Sequence, residues 1–264
     1  MKRARFNSLV ALCMSDGGIG RTAGTRYIHF TNKSNTLLSL FEKEIRKFSD
    51  AKIHKQQKER GITLRVFDKN LVSEMLKISP SFRTKACDNF PRCICECHKS
   101  KSKCKECIYI EGKKWPLARI KKSFFKNKKQ ICSFLKIYAS CDGYPSLFPR
   151  RDSWSKVERI VAIVSYHPLL KKQISSLLDK LGIEHKIKKD GLFMRSRSSI
   201  KKFKDQISFI PGVKMTGNSK YWQHLTKNQV LRIILDSYSK KIAEITLVKC
   251  RLPVKPTEQG SDEA

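Results

Sequence analysis

The chain has 264 residues, and 40% of them are hydrophobic, enough for a sizeable core and too many for disorder throughout. Lys and Arg number 56 against 23 acidic residues, a formal net charge of +33; such an excess self-repels unless a polyanion meets it, which makes nucleic acid the leading partner and an anionic membrane surface the second. No run of eighteen apolar residues is present, and no apolar leader with a small-residue cleavage site follows the basic Met1-Lys2-Arg3-Ala4-Arg5, so no membrane span is expected and the chain is expected inside the cell, in the cytoplasm near the nucleoid or in an organelle.

Leu9 to Gly17 is a short apolar run ending in one acid and then a glycine. It reads as a buried helix whose last residue is Asp16, stopped by Gly17 at the C-cap. Gly17 to Gly24 is glycine-rich and carries Arg21; it reads as the start of a long strand or hairpin. Arg26 to Thr31 alternates, with Ile28 and Phe30 on one face and Tyr27 and His29 on the other. Asn32 and Lys33 close that strand, and Ser34 or Asn35 caps an amphipathic helix through Phe48. Ala51–Gln57 and Gly61–Asp68 form a hairpin in which Ile62, Leu64 and Val66 face the helices, while Thr63 and Arg65 face away, with His54 near them. A sheet with one apolar and one basic face suits duplex DNA, because a two-stranded ribbon fits the major groove. Leu71 to Ile78 is a short closing helix.

Residues 86–110 have a different character. Cys87, Cys93, Cys95, Cys97, Cys104 and Cys107 fall in this stretch among lysines. In a reducing compartment such a cluster points to metal rather than disulfides. The two-residue gap between Cys104 and Cys107 is typical of a zinc knuckle, and a structural Zn2+ held by four of these thiols is preferred over an iron–sulfur cluster or unliganded cysteines. Cys13, Cys132, Cys141 and Cys250 read as packing residues.

Leu135 to Gly143 repeats the first run, with Asp142 in the place of Asp16. Ile137 stands where the first copy has Ala11, and a branched residue there should hold two such helices slightly further apart. Tyr144 to Ser155 is a loop or strand with Arg150 and Arg151; Arg159–Tyr166 is a strand and Leu169–Leu181 a helix. Ile183–Lys189 and Leu192–Arg197 form a second hairpin whose Lys186, Lys188, Arg195 and Arg197 are candidate phosphate or base contacts. Ser198–Phe209 and Asn228–Tyr238 are helices. After the second strand the sequence is Ser165-Tyr166-His167-Pro168, with no lysine to match Lys33; His167 is a candidate substitute. An aspartate at a helix C-terminus faces the negative end of the dipole. Two copies in that unfavourable place imply a cation between them.

These residues carry a resemblance. Over residues 6–82 and 119–236 the chain resembles a single-chain, two-repeat LAGLIDADG homing endonuclease of the archaeal, DOD type. The resemblance implies an α+β fold of two pseudo-symmetric αββαββα repeats, with two central motif helices beneath a β-saddle. It implies a first repeat over 1–85, a Cys-rich insert over 86–110, a second repeat over 111–240 and an extension, partly disordered, over 241–264. It also implies two or more Mg2+ ions held between Asp16 and Asp142, with Asn32 and Lys33 beside the scissile phosphate, and a monomer with an internal two-fold. The DNA contacts would come from Arg21, Arg26, His54, Thr63, Arg65, Arg150, Arg151, Lys186, Lys188, Arg195 and Arg197. The alternative on the same scaffold is a protein that binds DNA or structured RNA without cutting it, such as a maturase, a regulator or a ribosome-associated factor.

Overall fold

Two runs of the chain build the same sequence of elements. The computed structural model describes residues 6–22, 24–59, 61–87, 107–150, 153–216, 222 and 224–239. The first run is α1 (Asn7–Met14), β1 (Gly17–Thr22), β2 (Thr25–Asn32), α2 (Asn35–Arg46), β3 (Ile53–Lys58), β4 (Gly61–Val66) and α3 (Lys69–Ile78). A small hairpin, β5 (Cys107–Ile110) and β6 (Lys113–Pro116), follows. The second run is α4 (Lys128–Asp142), β7 (Gly143–Arg150), β8 (Ser153–Val164), α5 (Pro168–Lys180), β9 (Lys186–Ile187), β10 (Gly191–Met194), α6 (Arg197–Gln206) and α7 (Lys227–Asp236). The two four-stranded sheets are antiparallel, ordered β1-β2-β4-β3 and β7-β8-β10-β9. The fold is α+β, as the sequence implied. Among the described residues no helix is long and apolar enough to cross a membrane.

The alternation in the strands decides which face is covered. Ile28, Phe30, Leu64 and Val66 of the first sheet join one core with Val161, Ile163, Leu192 and Met194 of the second. α1 and the inner part of α4 lie within that core; Leu9 through Met14 have no exposed surface. A helix apolar all round is a buried helix, so the motif runs form the centre and the amphipathic α2 and α5 the outer layer. Ser34, Asp68, Asn127, Ser196 and Thr226 each accept a backbone N–H from the first turn of the helix they precede. These caps fix where each helix leaves its strand.

Several local expectations change. α1 ends at Met14, so Asp16 lies two residues beyond the helix rather than at its last position. Gly143 does cap α4 after Asp142, its N–H bonded to the Ala139 carbonyl, but in an extended conformation, and Gly17 follows a helix already capped by Ser15. Each begins a strand, and each must be glycine because of crowding: a Cβ at Gly17 would come 2.6 Å from the His29 carbonyl oxygen, and one at Gly143 2.6 Å from that of Ala139. β8 begins earlier than the alternation suggested, β9 is only two residues long, and the β5–β6 hairpin had no clear sequence signal. Cys93, Cys95, Cys97, Cys104, Cys250, Arg151 and the extension over 241–264 lie outside the described residues.

Candidate active site

Asp16 and Asp142 meet where α1 and α4 end side by side. The helices are joined at their N-terminal ends by Asn7, whose Nδ2 donates to the Gln130 carbonyl at 2.9 Å. At the other end the Cys141 side chain contacts both Ser15 and Asp16. Cys141 therefore borders the site as well as packing against the core. Ser15 turns its hydroxyl back onto the Ala11 carbonyl at 2.9 Å, which keeps it slim enough for the second helix to approach. Ile137 is buried, and the two carboxylates are close enough for the Asp16 charge to raise the Asp142 pKa.

Asn32 is fixed at both ends of its amide. Its Nδ2 donates to Asp16 Oδ2 at 2.7 Å, and its Oδ1 accepts the Ser34 backbone N–H at 2.8 Å. On the other side the Tyr138 side chain contacts Asp142. Burial raises the pKa of both acids, and the Asp16 charge raises Asp142 further, well above the ordinary carboxylate range. The positive charges of Lys227 and, more weakly, Lys85 oppose that rise. A half-buried carboxylate pair held this way resists carrying two charges until a cation joins it.

Lys227 is the residue that sequence reasoning missed. It opens α7, capped by Thr226 with the reciprocal bond from Gln229, and its side chain runs inward. Its Nζ donates to the Ser140 and Gly143 carbonyls, each at 2.6 Å, on either side of Asp142. It is 3% exposed. Burial lowers its pKa against the pull of Cys141, Asp16 and Asp142. The only sequence signal was the capping box itself, which places Lys227 at the first position of a helix. His167 is not the second-half helper: its Nδ1 accepts the Leu170 N–H at 3.2 Å, its Nε2 lies 2.7 Å from the Pro116 carbonyl, and it has no exposed surface.

Two cavities flank this centre. One of about 310 Å3 borders Asp16, Asn32 and Lys33; the other, about 370 Å3, borders Asp142 and Tyr144. They share Cys141, Thr216 and Lys227. Among the described residues no group of three or more His, Cys, Asp and Glu side chains gathers at a point. The two carboxylates nonetheless suit a hard divalent cation, which characteristically keeps waters and takes phosphate oxygens as its remaining ligands.

Of the expected DNA contacts among the described residues, Arg21, Arg26, His54, Thr63, Arg65, Arg150 and Lys186 lie on strands, Lys188 and Arg195 just beyond them, and Arg197 opens α6 rather than ending a hairpin strand. Arg65 lies in a cross-strand row between His29 and His54. Burial, with the charges of Arg65 and Lys58, lowers the His29 pKa to about 4, so this imidazole is neutral near pH 7. Thr63 is a correction: it is 3% exposed, and its hydroxyl is bonded to that of Thr31 at 2.9 Å, so it braces the sheet rather than facing a ligand. Arg21 and Arg26 stand opposite each other near the β1–β2 turn. Lys186 and Lys188 are exposed on and just beyond β9. Arg195 pairs with Glu158 at 2.5 Å, and the Arg197 guanidinium lies 5.8 Å from the Tyr238 ring centre. Arg150 ends β7.

Residues 129–208 match the LAGLIDADG-like domain. The fold is similar to that of the LAGLIDADG meganuclease I-AabMI bound to uncleaved DNA, with a TM-score of 0.51, 13% identity, and 94% of this chain and 98% of that one covered. I-DmoI in complex with DNA and Mn aligns at a TM-score of 0.49 and 15% identity, over 78% of this chain and 97% of that one. No curated protein matches the sequence. At that identity the I-AabMI structure establishes the architecture alone: the chain has the fold of a LAGLIDADG meganuclease, and its residues 129–208 carry the LAGLIDADG-like sequence domain.

Proposed function

We propose that the protein is a site-specific endonuclease that cuts duplex DNA with divalent metal, magnesium by preference, held between Asp16 and Asp142. The observation that carries this reading is the half-buried carboxylate pair at the abutting ends of α1 and α4, with one cavity on each side. The fold shared with the DNA-bound I-AabMI and the net charge of +33 support a duplex partner. The metal would supply an activated water and a charge clamp on the leaving oxygen. Asn32 holds Asp16 in place and has reach to orient a water. Lys33 and Lys227 put positive charge beside the two cavities, where a scissile phosphate gathers negative charge. With Lys227 in place, the second half has the cation that its sequence seemed to lack.

The chain acts in this reading as a monomer, its two repeats standing for two subunits, and makes a staggered break at a long asymmetric site within the cell. The archaeal-type relationship belongs to the same proposal. So does structural zinc: the Cys87 and Cys107 sulfurs lie 3.7 Å apart, close to the edge of a tetrahedron with ~2.3 Å metal–sulfur arms.

The test is cleavage of a plasmid library of random inserts in magnesium by the wild type, Asp16→Asn and Asp142→Asn. Site-limited linearisation by the wild type, lost in both variants, is expected. Binding of DNA without cleavage, equal in all three proteins, would establish the binding-only alternative instead.

A further inference from the structure

The sheet faces turned away from the core differ between the repeats in a way that fixes which bases each can read. Register aligns the two sheets residue by residue. Gly17 pairs with Phe30 and Gly143 with Ile163; Leu64 pairs with Phe30 and Leu192 with Ile163. The helix caps Asp68 and Ser196 then fall at the same place, immediately after each aligned strand region. On this alignment His29 corresponds to Ala162, Tyr27 to Ile160, Arg65 to Phe193 and Phe67 to Arg195.

The layers are filled from opposite strands. In the first sheet β1 offers Gly18 and Gly20, and His29 and Tyr27 lean over them: a Cβ at Gly18 would meet the His29 ring at 3.0 Å, and one at Gly20 the Tyr27 ring at 2.5 Å. In the second sheet β7 supplies Tyr144 and Ser146 opposite the smaller Ala162 and the aliphatic Ile160. The guanidinium of Arg65 lies 5.5 Å from the centre of the Tyr27 ring, and Tyr27 is itself backed by Phe67 at 5.2 Å. At the corresponding layer the second sheet has Phe193, 6% exposed, against Ile160 and Ala162. Its arginine comes one layer further out, where Arg195 is held by Glu158.

A guanidinium whose plane is set by a ring or a carboxylate presents a fixed pair of donors. Two parallel donors match O6 and N7 of guanine in the major groove, the commonest specific contact there. We propose that Arg65 and Arg195 are the two guanine readers of the target, one in each half-site, at different distances from its centre. This rests on the endonuclease reading above. One layer is two residues, about 6.6 Å along a strand. With the ribbon following the groove, that is about two base pairs. The Arg195 guanine therefore lies about two base pairs further from the centre than the Arg65 guanine, and no palindrome satisfies both.

The experiment is selection of bound duplexes from a randomised pool in calcium, using the full chain, Arg65→Ala and Arg195→Ala, with folding checked by circular dichroism. The wild type should select a consensus with two guanines offset in this way. Each variant should lose one of them, with discrimination at that position falling about 5- to 150-fold and the rest of the consensus retained. A guanine preference that survives both substitutions overturns the assignment while leaving the nuclease reading intact; a palindromic consensus overturns the assignment and the asymmetric site with it, but not cleavage itself. A wild type that selects no sequence overturns both.

Discussion

Lys227 shows how a single buried charge can be invisible in sequence and central in space. It is one of 56 basic residues, and nothing in its neighbours marks it except the helix cap. Asp16 and Asp142 were legible because they recur at the end of two similar runs, and Asn32 only through the family resemblance that those runs carry. Cys141 packs against the core as its apolar run suggested, but nothing in that run marked its contact with the site. Only the pairing of the two helix ends brings its side chain to Asp16. If Lys227 balances charge at the cut phosphate, Lys227→Met should lower single-turnover cleavage by about 10²–10³-fold while DNA binding in calcium changes little. Lys227→Arg should recover part of that loss. An unchanged cleavage rate in Lys227→Met would confine this lysine to tying the Ser140 and Gly143 carbonyls.

At the level of elements, period-2 alternation and apolar stripes placed most helices and strands within a few residues. What they could not show was the reason for the motif glycines. Gly17 and Gly143 resembled helix stops because glycine usually ends a helix by adopting a left-handed conformation. In the fold neither does so. Each marks a point where strand backbone and helix end are too close for a side chain, and at Gly143 the Ala139 and Ala162 carbonyl oxygens close in from two sides, 2.6 and 2.8 Å from a Cβ. Both obstacles are backbone, so they cannot rotate away. Gly143→Ala is expected to destabilise by about 1–3 kcal/mol, the usual range for overpacking, and to impair cleavage by moving Asp142. Denaturant unfolding checks the first effect and the plasmid assay the second. Gly24→Ala is the control: its φ of +79° carries some strain, but nothing lies within 4 Å of the added methyl.

Taken as a whole, the molecule is a duplicated unit whose copies share a backbone plan but have diverged in side chains. The plan was readable because the order of apolar runs, turns and alternating stretches recurs. The divergence was not, because comparing the copies requires the strand register, which sets Arg65 against Phe193 and Gly18 against Tyr144. The cations that act on the two acids also differ from each other. Lys227 is sealed at the core with its amine fixed by two carbonyls, whereas Lys85, which also faces both acids, is exposed. A fixed charge needs no reorganisation when the phosphate arrives; a solvated one must shed water and settle first. Lys227 borders both cavities, but Lys33 borders only the one beside Asp16, so the two DNA strands should part at different moments. A time course on supercoiled substrate should show an open nicked circle that rises and decays ahead of the linear product, and the first nick should fall on the same strand in every molecule.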